Sequence, residues 1–389
     1  MPFLASMVFR CGRRLSPLLF QGWPRPPGFG VFILERRCMN LEKTMKAALF
    51  YGGKKDIRVE EISLPSLQEG DVLLRVRACG ICGSDVRSYV NGVEERYKIP
   101  VILGHEVVGK VAALGSQVEG LEIGDRVVVA PIYGCGKCEF CLSGLENLCD
   151  RVVVFGCNLD GGYAEYMLIP REGVERGVLV KLPPEISDEA GTLVEVFSCC
   201  LHGQRRIGIK PGDAVLIFGA GPIGLAHLVV SKKLGAGKVG VLDFVPSRLE
   251  EAENFGADFV VNVAEGNWIN QVREEVGRNG APVVITAAPA VSSIESALQV
   301  VRKGGVVLVF GGLPAGSSLQ LNPNLIHYGE VTITGSIDAT MDDFMKTVKL
   351  ASAFHLERFV THRFSLEDIH EAMEVASRKE GLKVILKMV

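Results

Sequence analysis

The sequence predicts an α/β protein in two parts, a β-rich unit and a doubly wound parallel sheet. Two observations carry this prediction. From Met45 to about Gly191, short apolar runs such as "DVLLRVRACG", "VILGHEVVGKVAALG" and "GDRVVVAPI" are closed by Gly, Asp or Pro, the pattern of a barrel-like all-β unit. From about Cys199 to Ile337, β-branched runs alternate with segments of helical period, the pattern of parallel strands covered on both faces.

Taken in order, "AVLIFGAG" reads as a buried strand and "PIGLAHLVVSKKLGA" as the helix that follows it. "KVGVLDF" and "PSRLEEAENFGA" repeat the pair, and "VVITAA", "SSIESALQVVRKGG", "VVLVFGG" and "VTITGSI" continue it. The tail, from "DDFMKTVKLASAF" to "GLKVILKMV", returns to helices and one closing strand, expected to pack on the first unit. The predicted division is an extension over 1–44, a first unit over 45–198 and 338–389, and a second over 199–337. No repeat or low-complexity tract interrupts it.

The first 44 residues carry Arg10, Arg13, Arg14 and Arg25 with no acidic residue before Glu35. Such a segment is either a mitochondrial transit peptide or an extension translated upstream of the true start, since Met39 and Met45 precede the first orderly strand. The preferred reading is the upstream extension, with a cytoplasmic protein.

Bulk composition excludes several functions. The chain has 389 residues, 48% of them hydrophobic and 22% charged, with a formal net charge of −3. That balance leaves no basic footprint for nucleic acid or an anionic membrane. No apolar run approaches the ~18–20 residues of a spanning helix. Neither nucleic acid nor a membrane is therefore an expected partner, and the expectation is a small-molecule ligand with the chain as a homo-oligomer, a dimer or tetramer. Eleven cysteines without a secretory signal point to a reducing compartment, where thiols serve as ligands.

"CGKCEFCLSGLENLC" places Cys135, Cys138, Cys141 and Cys149 at C-x2-C-x2-C-x7-C. A disulfide framework suits small secreted domains, and a redox C-x-x-C should open a helix, whereas here Gly134 and Gly136 flank the first cysteine. Four thiolates around one ion form the closed tetrahedral shell of a structural zinc site. Such a cage leaves no coordination position open, so the chemistry belongs elsewhere. "VLIFGAGPIGL" holds Gly219, Gly221 and Gly224 as G-x-G-x-x-G directly after a strand, and Asp243 ends the next strand. This is the Rossmann dinucleotide fingerprint: a tight turn, close backbone approach to the pyrophosphate, and tight helix packing. Asp243 would accept hydrogen bonds from the adenosine ribose and repel a 2′-phosphate, favouring NAD, with Arg248 the one nearby group that would welcome NADP. Cys82, His105 and a carboxylate from Glu106 or Glu195 would complete a second, open zinc site with an exchangeable position.

The ordered set Cys82-Gly83-Ser84-Asp85, Gly104-His105-Glu106, the cysteine cage and GAGPIG resembles the zinc-containing medium-chain alcohol/polyol dehydrogenase family, from Met45 to Val389. "LVEVFSCCLH" and "VTHRFSLEDIHEAME" resemble its sorbitol (L-iditol) dehydrogenase and threonine dehydrogenase branch. The resemblance implies a GroES-like catalytic domain joined to a Rossmann coenzyme domain. It implies two zinc ions, one catalytic and one structural, and hydride transfer from a secondary alcohol or polyol to NAD. Cys82, His105 and Glu106 become zinc ligands, Glu195 a ligand or the holder of a water, and Asp85 the group that orients His105. Ser84 would receive the alcohol proton. Two positions depart from the family pattern. Arg87 stands where many relatives carry a proton-relaying histidine, and it cannot release a proton at neutral pH. Asp338 and Ala339 stand where sorbitol enzymes tend to carry an Arg-Tyr pair, which points away from sorbitol itself. Threonine 3-dehydrogenase is the alternative within the enzyme class, and a non-catalytic NAD-binding structural protein the alternative outside it.

Overall fold

A computed structural model describes residues 41–92 and 97–388. The expectation for the N-terminal extension falls, over residues 1–40, outside the described residues, and Thr44 already belongs to the first strand, Thr44–Phe50.

The β-rich part is built on two long strands, Val72–Gly80 and Glu106–Leu114, which pair antiparallel. Both are buried nearly throughout, so their sequences read as apolar runs rather than as alternation. Arg126–Val129 and Leu179–Lys181 extend the sheet beyond Glu106–Leu114. On the other side the C-terminal strand Lys383–Lys387 pairs antiparallel with Val72–Gly80, and Val360–Ser365 pairs parallel with it. The last strand therefore lies beside the strand that leads to Cys82. Register sets Gly80 opposite both Glu106 and Ile385.

The second sheet has six strands, all paired in parallel, in the order Phe259–Asn262, Lys238–Asp243, Ala214–Phe218, Ala281–Thr286, Val301–Val309 and Thr332–Gly335. Alternate residues of its strands feed two cores. Val215, Ile217, Val239, Val241, Val283 and Ile285 join the large core, whereas Leu216, Phe218, Leu242, Val284 and Val307 form a smaller one on the opposite face. Burial on both faces is why these strands show no polar side in the sequence. One helix is shorter than "SSIESALQVVRKGG" suggests. It runs Val291–Val300, and the chain turns directly into the strand Val301–Val309. Helical period is lost at the paired β-branched Val300 and Val301, and Gly304, at φ +67, cannot continue a right-handed helix at its native backbone.

Between the two sheets runs the helix Val194–Ile207, buried along most of its length and ended by Gly208 in the left-handed conformation. It packs on the fingerprint helix Pro222–Lys233 and on Met341–Leu350. Among the described residues no helix is long and apolar enough to cross a membrane.

At Gly80 any side chain would overlap the Glu106 carboxylate and the Lys383 stem. Gly80→Ala should therefore lower stability by about 1–3 kcal/mol through overpacking. Gly83→Ala, where an added Cβ meets nothing within 4 Å, should be near neutral. Chemical denaturation of the two variants checks this, and equal stabilities would contradict it.

Candidate active site

Cys82 caps the helix Gly83–Asn91, and Asp85 at the third helical position accepts a hydrogen bond from the Cys82 amide at 3.1 Å. This closes the turn that presents the thiol. His105 and Glu106 arrive at the start of the adjoining strand, Glu106–Leu114. A ligand atom from each of Cys82, His105 and Glu106 lies within 4.8 Å of the others. Asp85 Oδ1 stands 3.6 Å from His105 Nδ1. Burial disfavours the imidazolium, but Asp85 and Cys82 outweigh it and raise the His105 pKa well above its ordinary value. The pocket thus favours positive charge. Asp85 is itself buried, which works against ionisation, yet His105, Tyr163 and the Cys82 amide hold its carboxyl below the usual range.

Glu106 is fully buried, with Oε1 paired to Lys383 Nζ and Oε2 without any hydrogen-bond partner. A buried carboxylate oxygen left unpartnered is costly unless a cation satisfies it. A thiolate, an imidazole and a carboxylate oxygen form a donor set that fits zinc. Glu195, in the first turn of Val194–Ile207, lies outside this trio, and its Oε1 accepts a 3.2 Å hydrogen bond from the Cys199 thiol. Burial, aided by Glu106 and opposed by His105, lifts its carboxyl to about 7. Ser84 sits half-buried in the first turn of the Cys82-capped helix, and Arg87 is exposed one turn on.

The four cage cysteines converge, each offering a sulfur within 4.8 Å of the others. Cys138 and Cys149 sulfurs are 3.7 Å apart, far beyond the ~2.05 Å of a disulfide. Cys149 Sγ accepts hydrogen bonds from the amides of Cys135 at 3.3 Å and Arg151 at 3.4 Å. Amides of Lys137 and Cys138 pull Cys135 down to about 6, while burial pushes Cys141 up to about 12. Among the described residues the group holds four sulfurs and no further ligand, a closed set.

At the second site, Gly219 has φ +105 and its amide donates to Leu242 O at 2.7 Å, folding the turn against the neighbouring strand. Gly224 packs so closely on the Gly219 carbonyl that a Cβ would overlap it. Gly221 caps the fingerprint helix with no side chain engaging its first amides. That end can receive an anion. Asp243 is buried, and Oδ2 accepts from Ala220 N at 2.8 Å while Oδ1 accepts from the amides of Phe244 and Val245 at 2.7 and 3.0 Å. It shapes the glycine turn as well as ending the strand, a duty the sequence did not reveal. Arg248 is half-buried on the helix Pro246–Asn254.

Several residues at these sites escaped sequence reasoning. Lys383 opens a strand, where a lysine reads as solvent-facing, yet it is buried against Glu106. Tyr163 lies fully buried, and its hydroxyl donates to Asp85 Oδ2 at 2.8 Å. Burial and Asp85 keep that phenol well above its ordinary pKa, so it remains a donor. Tyr163→Phe removes only this hydroxyl. It should weaken metal retention at the Cys82 cluster by roughly tenfold or more, as loss of supporting hydrogen bonds does in metal sites. Competition with a chromophoric chelator measures it, and unchanged affinity would remove Tyr163 from the site.

Comparisons with known proteins place the chain in a family. The family profile "Alcohol dehydrogenase GroES-like domain" matches residues 68–184, and "Zinc-binding dehydrogenase" matches residues 222–353. The chain is 35% identical over 351 residues to sorbitol dehydrogenase of Bacillus subtilis, covering 88% of this chain and 97% of that one. It is 32% identical to D-arabinitol dehydrogenase 1 of Uromyces fabae, covering 87% and 96%. Among solved structures, a zinc-binding dehydrogenase from Sinorhizobium meliloti bound to NADP superposes with a TM-score of 0.82 at 29% identity, over 89% of this chain and all of that one.

Proposed function

We propose that this chain, which belongs to the zinc-containing medium-chain alcohol and polyol dehydrogenase family, oxidises a polyol or related secondary alcohol with NAD. The carrying observation is the Cys82, His105 and Glu106 trio with its unpartnered Glu106 oxygen, in one chain with a dinucleotide turn. Cys82, His105 and Glu106 would hold a catalytic zinc, and the cysteine cage a structural one. Bound zinc supplies Lewis acidity that makes an alcohol acidic near neutrality, and NAD supplies the hydride-accepting ring. The protein's own groups do the rest. Asp85, braced by Tyr163, fixes the His105 ring. Ser84 receives the alcohol proton and passes it outward to water, since Arg87 cannot take it. Glu195, a carboxyl whose pKa burial raises, stands beside the trio as a group able to carry or release a proton.

A polyol is favoured over threonine because the relatives named above are a sorbitol and a D-arabinitol dehydrogenase. Asp338, half-buried past the strand Thr332–Gly335, would read substrate hydroxyls. A non-catalytic role is disfavoured by the intact proton-accepting and ligating set. The unbridged cysteines among the described residues suit a cytoplasmic setting. Homo-oligomerisation is the expected assembly, since Thr332–Gly335 ends the parallel sheet and the helix leading into it exposes Ile326 and Tyr328.

Metal analysis before and after mild chelation, paired with NADH formation on polyols, simple secondary alcohols and threonine, tests the reading. Two zinc ions per chain are expected, of which one is removed together with polyol oxidation. A single zinc, or no NADH formed from any polyol, would overturn it.

Coenzyme choice rests on Asp243 rather than kinship, because the Sinorhizobium structure holds NADP. Asp243→Asn removes the charge and leaves one carbonyl oxygen, so either the Ala220 amide or the Phe244 and Val245 amides lose their acceptor, and melting temperature is read beside coenzyme affinity. Hydrogen bonds to a charged group contribute about 1.5–3 kcal/mol, so NAD affinity should fall roughly tenfold or more while NADP gains. An unchanged NAD to NADP ratio would assign the selection to another residue.

A further inference from the structure

We infer that Asn147, at the inner end of the cysteine-cage loop, is a positioning residue for the substrate side of the active site. It anchors the segment that carries Asp338 against the helix that carries Glu195. The inference deepens the polyol dehydrogenase reading and rests on it for its kinetic part.

Asn147 is buried between Cys141 and Cys149. Its Nδ2 donates to Ile337 O at 3.0 Å and faces His202 Nε2 at 3.3 Å. Turning the amide over would set its oxygen against the Ile337 carbonyl, so the orientation is determined. With both amide hydrogens engaged, His202 Nε2 is the acceptor and its Nδ1–H donates to Asp343 Oδ2 at 2.7 Å. Asp343 also accepts from Thr340 Oγ1 at 2.8 Å and pairs with Arg205. Next to Asn147, Glu146 Oε1 accepts from Met341 N at 2.6 Å, at the start of the helix Met341–Leu350. The cage loop therefore grips the segment on both sides of Asp338, through the Ile337 carbonyl before it and the Met341 amide after it.

What lies between the grips explains them. Asp338 has φ +51, a left-handed backbone that aspartate enters more readily than most residues with a Cβ, but still at a cost that holding the flanking residues offsets. The same loop reaches Glu195 by a second route. Glu195, Cys199 and His202 are spaced i, i+4, i+7 and so share one face of Val194–Ile207. Asn147 meets the far end of that stripe at His202, while Cys199 bonds Glu195 at the metal end and lies within electrostatic reach of Asp338. Burying an amide this way, with its Oδ1 unpartnered among the described residues, is a poor arrangement for stability alone. It is explained by a need to hold Asp338 and Glu195 in fixed relation.

The test uses the zinc-loaded enzyme with Asn147→Leu, which keeps volume and removes both donated bonds. The polyol KM should rise about tenfold, the effect of roughly one net hydrogen bond. Meanwhile kcat should stay within about twofold, and zinc content and NADH affinity should not change. Amide hydrogen exchange over residues 336–341 should accelerate, a readout that stands even if no polyol is turned over. Wild-type inactivity on every polyol would thus sink the functional reading without touching this one. Glu146→Ala, on a half-buried side chain, is the second variant and should shift both readouts in the same direction. Unchanged exchange and KM in either folded variant would overturn the inference. So would a joint loss of zinc, NADH binding and turnover, which would make Asn147 a general stabiliser.

Discussion

The structure hinges on a buried pair, Lys383 with Glu106, made between the last strand and one of the central strands of the first sheet. Two opposite charges in an apolar interior gain little over hydrophobic packing, but leaving either alone costs about 3–5 kcal/mol. Here burial opposes the Lys383 charge and Glu106 more than restores it, raising the ammonium pKa. The pairing uses only one carboxylate oxygen. The other has no hydrogen-bond partner among the described residues, so a single glutamate is shared between a fixed cation and, on the proposed reading, a metal. This division requires Gly80 opposite Glu106 in the register, because no side chain fits there. It also requires the C-terminal strand to return beside the N-terminal ones. The metal site and the topology are thus one constraint.

What the sequence made legible follows from how far apart the participants lie along the chain. The cage spans fifteen residues, the glycine fingerprint six, and His105 adjoins Glu106, so each shows its spacing directly. The Lys383–Glu106 pair joins positions 277 apart, and Tyr163 reaches Asp85 across 78. Neither leaves a local signature, since a buried lysine and an exposed one look alike in "GLKVILK". Asp243 was legible as the acid ending a strand, but not as the acceptor that shapes the glycine turn. The end of the helix at Val300 was hidden for a different reason. Apolar residues near Val301 satisfy a helical and a strand pattern alike, and only pairing with Ala281 decides between them.

The helix Val194–Ile207 shows how the two halves are made to act together. His202 and Gln204 are two positions apart, about 200° around a helix, and so face opposite ways. On one side His202 joins the cage loop and Asp343. On the other, Gln204 Nε2 donates to His227 Nδ1 at 3.0 Å and to the His227 carbonyl at 2.9 Å, while its Oε1 accepts from Ser231 at 3.0 Å. His227 and Ser231 belong to the fingerprint helix, and burial alone holds His227 near 3, so it does not titrate as working pH varies. A bolt of buried amide and imidazole groups is directional in a way that apolar contact is not. It fixes the rotation of the helix as well as its distance from its neighbours. On the proposed reading rotation is the quantity that matters, because Glu195 rides on the same helix as this bolt and the glycine turn opens the helix it is bolted to.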